Sequence, residues 1–215
     1  MASGLEFIED YVPGHVSDVI EMLFGAGRAN TAAYAASKPL IYEPGVHLAY
    51  ASGTTNILSR SLGRALGASG PAFEDFMRAR LFEPLGITSA LPKFDAAGVF
   101  IGSSYCFMSA RDFARFGLLY LRDGLWEGRR LLPEGWVDYA RRPTWRQPAA
   151  PEGKYGAHWW LDFFGSGVFS ANGYDGQYVI VRPDRDLVVV RSGLCPLDRT
   201  PWLQGRLKAL VRLFD

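Results

Sequence analysis

The sequence predicts an α/β (α+β) protein: a mainly helical lobe, then an antiparallel sheet covered by a terminal helix. Three observations carry this. Apolar residues recur at helical spacing through most of the first 140 residues. Two β-branched runs, Tyr178–Arg182 and Leu187–Arg191, are joined by Pro183-Asp184-Arg185-Asp186, which reads as a hairpin turn. The final stretch, 201–214, carries Leu203, Leu207, Leu210, Val211 and Phe214 at the spacing of one helical face. With 215 residues, 48% of them hydrophobic, the chain has enough material for one core. It therefore reads as a single domain, 1–156 forming the helical lobe and 157–215 the sheet strands and terminal helix.

Taken in order, 16–24 and 30–37 read as short helices, with Asp18 and Asn30 near their starts and Gly25 and Lys38-Pro39 after them. A longer helix spans about 54–66 and closes at Gly67. Gly70-Pro71 opens a helix of about 72–83, with Phe73, Phe76, Met77 and Leu81 on one face; Pro84 and Gly86 stop it. Residues 87–108 read as loop and short strand. Ser109-Ala110-Arg111-Asp112 resembles a capping box, with Asp where Glu is usual, and starts a helix reaching about Arg122. Pro133 opens another short helix. The Pro- and Gly-rich stretch Arg142–Gly156 reads as a long loop over a surface or cleft mouth. His158–Phe164 reads as a strand, which with the hairpin makes a sheet of three. The lack of strict alternation in the hairpin strands predicts burial on both faces, one of them under the terminal helix.

Composition excludes several classes. Net charge is +1 with both signs interspersed, so no nucleic-acid or anionic-membrane footprint appears. No apolar run is long enough to span a bilayer. Cys106 and Cys195 stand far apart, and His15, His47 and His158 share no motif, so no metal site is expected. The compartment, cytoplasmic or periplasmic, stays open. Met1–Phe7 lacks the features of a signal peptide and reads like the middle of something rather than a domain start.

The stretch richest in chemistry is Glu43–Leu58, EPGVHLAYASGTTNIL. It sets a phenol, Tyr50, and a hydroxyl, Ser52, two residues apart where an irregular segment meets a helix start. Free N–H groups and a partial positive charge gather there. On these residues alone the first reading is a half-buried aromatic followed by a helix cap. The second is a proton-transfer tyrosine.

Four stretches together resemble the serine β-lactamase-like superfamily, which includes class C β-lactamases, D-alanyl-D-alanine carboxypeptidases, related esterases and 6-aminohexanoate-dimer hydrolases. They are MASGLEF, EPGVHLAYASGTTNIL, SSYCFMSARDFARFGLLYLRDG and FSANGYDGQYVIVRPDRDLVVVRSG. The resemblance is nearest to the 6-aminohexanoate-dimer hydrolases and spreads over the whole chain. It implies a β-lactamase/transpeptidase-like fold and hydrolysis of an amide, ester or β-lactam through an acyl-enzyme, with no cofactor. Tyr50-Ala51-Ser52 is similar to the family's Tyr-x-Asn triplet, with Ser52 in place of Asn. Tyr174-Asp175-Gly176 is similar to its Lys-Thr-Gly triplet, so these three are expected to bind substrate. The backbone N–H of Gln177 is then expected to donate to the oxyanion.

One departure is large. The family's Ser-x-x-Lys nucleophile motif is absent: none of the four lysines follows a serine by three residues, and Ser89–Lys93 is spaced by four. The chain is therefore expected to be the C-terminal portion of a longer hydrolase, inactive alone. A non-catalytic binding relative or a truncated remnant is the alternative. An open sheet edge would then favour self-association. Cys106 reads as a small buried hydrophobe, His47 as a rim or structural residue, and Arg111-Asp112 as a helix-start pair. Trp145 and Trp159-Trp160 could line a cleft, though core packing is the default.

Overall fold

The computed structural model describes residues 1–12, 14–143 and 154–215, which fall into two units. The first unit comprises 1–80 and 90–107. It holds α1 (Asp18–Phe24), α2 (Thr31–Ala36), α3 (Ser52–Leu66), α4 (Pro71–Met77) and a two-stranded ribbon of β1 (Leu91–Pro92) and β2 (Cys106–Phe107). α4 runs on into a π-helical turn, Arg78–Phe82, before Pro84. The caps follow from residue chemistry. Ser17, not Asp18, caps α1 by accepting the Ile20 N–H, and Asn30 caps α2 by accepting the Ala33 N–H. Gly67, at φ 63°, turns the chain left-handed after α3.

Asp18, near the start of α1, does more than favour the helix start. Its carboxylate is buried and accepts the backbone N–H of Ile8 at 2.8 Å and the Tyr34 hydroxyl at 2.9 Å, and it pairs with Lys38. The Asp18 N–H in turn donates to the Ile8 carbonyl at 2.9 Å. The N-terminal segment is thereby fastened to the start of α1.

The second unit comprises 81–89, 108–143 and 154–215 among the described residues. It holds α5 (Ala110–Leu121), a short ribbon of β3 (Leu125–Trp126) and β4 (Arg129–Arg130), and α6 (Trp136–Ala140). Its sheet is built from β5 (Lys154–Tyr155), β6 (Trp160–Leu161), β7 (Phe169–Gly173), β8 (Gln177–Arg182) and β9 (Leu187–Arg191), with α7 (Thr200–Arg212) last. The sheet is antiparallel throughout and runs in order β5-β6-β7-β8-β9, five strands rather than three. The missed strand β7, FSANG, is rich in small residues and lacks a β-branched run. The expected strand 158–164 shrinks to Trp160–Leu161 because His158 and Asp162 both adopt left-handed backbone, at φ 63° and 60°.

Alternation along β8 sorts the core into two layers. Tyr178 and Ile180 face Leu203, Leu207 and Val211 of α7, together with Phe164, Val168 and Cys195. Val179 and Val181 face the opposite way, into a cluster with Trp159, Phe169, Val137 and the α5 residues Phe113 and Phe116. β8 is buried on both faces, as its sequence suggests, whereas every residue of β9 is only half-buried. β9 ends the strand order. α5 lies close on the sheet at Gly117, where a Cβ would come within 2.8 Å of Val188 Cγ1 and 3.1 Å of Val179 Cγ1. Arg182 donates to the carbonyl of Val211 and pairs with Asp184 and Asp215, fixing the end of α7 over β8. The Pro183–Arg185 turn closes the hairpin with Asp186 left-handed.

The capping box at α5 is half realised. Ser109 does cap the helix, accepting the Asp112 N–H at 3.2 Å. Asp112, however, does not reach back to the cap residue. It accepts from the N–H groups of Thr88 and Ser89 and from the Ser89 hydroxyl, and pairs with Arg115. Asp112 is thus a buried staple between α5 and residues 88–89, while Arg111 is exposed. Burial works against this carboxylate, but the bonds from Ser89 and Arg115 outweigh it and hold its pKa below the ordinary value. A depressed folded-state pKa contributes stability above the unfolded value of about 4, lost as pH falls through the folded value. Asp112→Asn is expected to lower stability at pH 7 by about 2–3 kcal/mol and to flatten the acid limb. Urea unfolding at neutral and acid pH checks both.

Candidate functional site

In the first unit, the chemistry-bearing groups at the start of α3 gather around a residue that sequence reading passed over, Glu9. Ser52 is the first residue of the helix and Ala51 its cap, with no side-chain capping bond. A cap comes instead from far along the chain: Glu9 Oε2 accepts the Ser52 N–H at 2.8 Å, and Oε1 accepts the Ser52 hydroxyl at 2.6 Å. The Tyr11 hydroxyl donates to the same Oε1 at 2.9 Å. A carboxylate suits this place because the helix start offers free N–H groups and a partial positive charge. Ser52 is 5% exposed, and its hydroxyl is committed as a donor to Glu9. It anchors the helix start and, as the first helical residue, is not the cap.

Tyr50 enters this cluster one residue before the cap. Burial, and after it the negative charge of Glu9, push its phenol up to about 12. Burial and Glu9 also raise Tyr11. Both tyrosines are therefore neutral at pH 7. The arrangement can donate a proton or a hydrogen bond from Tyr50. Accepting a proton near neutral pH would need an added cation beside the ring to pull this pKa far down. His47 stacks on Tyr42 with ring centroids 4.2 Å apart. Cys106 is half-buried, and burial lifts its thiol to about 11, so it is unreactive at neutral pH.

In the second unit, Tyr174-Asp175-Gly176 forms a 3₁₀ turn between β7 and β8, with Gln177 the first residue of β8. Gly176 is closely approached from within the unit. At φ +83°, a Cβ there would lie 2.7 Å from Leu203 Cδ2, 2.8 Å from Arg191 Nη1 and 2.9 Å from Cys195 Cβ. Arg191, also unmarked in sequence, ties the turn by donating from Nη1 to the carbonyls of Asp175, Gly176 and Gly193, and from Nη2 to that of Leu194. The Gln177 side chain is a second tie: Nε2 donates to the Gly193 carbonyl at 2.7 Å and Oε1 accepts its N–H at 3.0 Å. The side-chain amide is thus spent on structure. Tyr174 is 55% exposed.

The aromatics divide. Trp159 is core, packed edge-on against Phe169 at 4.9 Å and 2% exposed, so it does not line a cleft. Trp160 is half-buried against Tyr155 at 5.0 Å. Trp145 and most of the long loop lie outside the described residues. Among the described residues no cluster of three His, Cys, Asp or Glu could hold a metal ion, and no helix is long and apolar enough to cross a membrane.

No serine in the chain is placed by sequence as Ser-x-x-Lys, and the groups around Glu9 carry only a faint sequence echo. Glu9 and Tyr11 stand two apart in EDY, mirroring the Tyr50–Ser52 spacing. The pairing of the two segments spans 43 residues, however, and no local pattern announces it. Replacing Glu9 by Ala strands the Ser52 N–H, its hydroxyl and the Tyr11 hydroxyl. The expected loss is about 2–3 kcal/mol for Glu9→Ala and about 1 kcal/mol for Glu9→Gln, which still accepts. Equilibrium denaturation of both variants at pH 7 measures it.

Comparison with known proteins supplies the context. The family model described as Beta-lactamase matches residues 1–192. The 6-aminohexanoate-dimer hydrolase of Paenarthrobacter ureafaciens is 28% identical over 156 residues, covering 68% of this chain and 39% of its own length. A candidate 6-aminohexanoate-dimer hydrolase from Bacillus anthracis superposes with a TM-score of 0.79 at 19% identity, covering 97% of this chain and 57% of that one. A beta-lactamase from Mycobacterium bovis superposes at 0.63 with 16% identity, covering 98% of this chain and 78% of that one. At these identities the solved structures establish the fold, helices with an antiparallel sheet of the β-lactamase/transpeptidase type. The chain spans well under two thirds of the length of the first two relatives.

Proposed function

Because the chain belongs to the beta-lactamase family, we propose that it carries part of the machinery of a serine hydrolase, related to penicillin-binding proteins, acting on an amide or ester bond. The reaction class is acyl transfer. A serine oxygen attacks the carbonyl, the tetrahedral intermediate expels the amine or alcohol, and water then releases the acid from the acyl-enzyme. Tyr50 is the proton-transfer group, and its neighbourhood supports this reading: a phenol held beside a helix start whose first N–H and hydroxyl are locked by Glu9. Gln177 contributes through its backbone N–H, as an oxyanion donor worth about 3 kcal/mol, since its side chain is occupied by Gly193. Tyr174, Asp175 and Gly176 form the substrate-side turn, shaped by Arg191.

The single observation that limits the reading is the absence of Ser-x-x-Lys from these 215 residues. It agrees with the high phenol pKa of Tyr50, for which burial and Glu9 act in the same direction. The 215-residue chain by itself is therefore proposed to be hydrolytically inactive. A non-catalytic binding role, or a remnant without its own role, is the second reading, favoured by that same absence. The half-buried strand β9 at the end of the sheet order is also a route to self-association.

Intact-mass analysis after incubation with a serine-reactive phosphonate, an activated ester and a chromogenic β-lactam tests inactivity. No adduct and no turnover above background are expected, and stoichiometric labelling of any serine contradicts the reading. A fusion supplying a segment with Ser-x-x-Lys separates hydrolase from binder. Activity that appears in the fusion and is lost with Tyr50→Phe supports the hydrolase.

A further inference from the structure

The first unit contains a cavity of about 350 Å³ that takes no part in the Tyr50 cluster. Its walls come from the end of α3, the turn after it, the start of α2 and the 97–100 segment. The Tyr50 cluster is at the opposite end of α3. From Ser52 to Gly63 the helix rises about 16 Å, so the two places are separate.

Three features of the cavity point one way. First, Arg60 and Arg64 both line it. They stand at i and i+4, where like charges repel on a helix. Neither guanidinium has a hydrogen bond, ion pair or ring contact among the described residues. Arg78, Arg115 and Arg182 show the contrast, each paired with a carboxylate. Second, no lining residue is acidic, and the polar remainder is donor-rich: Asn30, Ser59 and Ser69. Asn30 Oδ1 is already committed to the Ala33 N–H, which leaves its amide nitrogen to donate. The nearby Asp95 carboxylate is also spent. It accepts the Ala97 and Val99 N–H groups through Oδ1, and the Thr31 N–H and hydroxyl through Oδ2. Third, Phe73 and Phe100 contribute an apolar wall, stacked with centroids 6.2 Å apart.

A cavity with two unpaired guanidiniums, several neutral donors, no acid and an aromatic wall suits a small anion with an apolar body. We propose that it binds a small organic carboxylate. The carboxylate lies on Arg60 and Arg64, whose planar forks match its two oxygens, and the hydrocarbon part lies on Phe73 and Phe100. The size agrees with small-molecule sites, which begin at about 300 Å³.

The test uses the full 215-residue chain, with hexanoate as probe, hexylammonium as its charge-reversed control and inorganic phosphate as an anion without an apolar body. Backbone amide shifts of Gly63, Gly67 and Gly98 are followed by NMR titration. The proposal expects saturable hexanoate binding with a Kd of about 1 mM or tighter. It expects at least about tenfold weakening in R60A/R64A at unchanged thermal midpoint, and little response to hexylammonium. Arg64→Glu, at an exposed position, repeats the test by charge reversal and should also abolish binding. Absence of saturable hexanoate binding overturns the proposal, as does equal binding of hexylammonium or unchanged affinity in R60A/R64A. Saturation by phosphate but not hexanoate overturns the organic-carboxylate class.

Discussion

Residues 8–11 form a strap fixed by two carboxylates, and the candidate site of the first unit depends on it. Asp18 grips the backbone of Ile8 from α1. That places the next residue, Glu9, where its two oxygens meet the N–H and hydroxyl of Ser52. One carboxylate holds the strap and the next uses the strap to cap α3. The logic is economical in physical terms. The start of α3 lacks a side-chain cap of its own, so its free donors and positive end call for an anion from elsewhere. Tyr50 and Tyr11 are then placed beside a negative charge, which adds to burial in keeping both as neutral phenols. Asp112 repeats the pattern in the second unit, binding the 88–89 segment to the start of α5.

Much of the fold was legible because its signals are local. Asn30, Gly67, Ser109 and the Pro183–Asp186 turn act within a few residues of where they stand, and the structure realises each of them. α7 buries Leu203, Leu207 and Val211 against Tyr178 and Ile180, whereas Leu210 and Phe214 of the expected face stay exposed. What failed was mostly long-range. β7 has no β-branched run and becomes a strand because β6 and β8 pair on either side of it. The 158–164 stretch looks like a strand by composition, yet left-handed backbone at His158 and Asp162 confines pairing to two residues.

The candidate site was legible to the extent that short motifs name it. Tyr50, Ser52 and the Tyr174–Gln177 turn stand out in sequence, but their holders, Glu9 and Arg191, do not. Glu9 acts across 43 residues, and Arg191 acts through carbonyls that no sequence pattern displays. The Ser52 hydroxyl is held by Glu9, and the Gln177 side chain by Gly193.

The central claim is electrostatic: Tyr50 sits in a half-buried, negatively biased setting and cannot act as a base without an added cation. The most direct measurement is the tyrosinate absorbance titration of the native chain against Tyr50→Phe, which isolates the Tyr50 phenol. The account predicts that this phenol titrates near 12, well after a free tyrosine at about 10. A value at or below the free one would contradict it, because burial and the Glu9 carboxylate both push upward and an opposing cation would have to stand beside the ring.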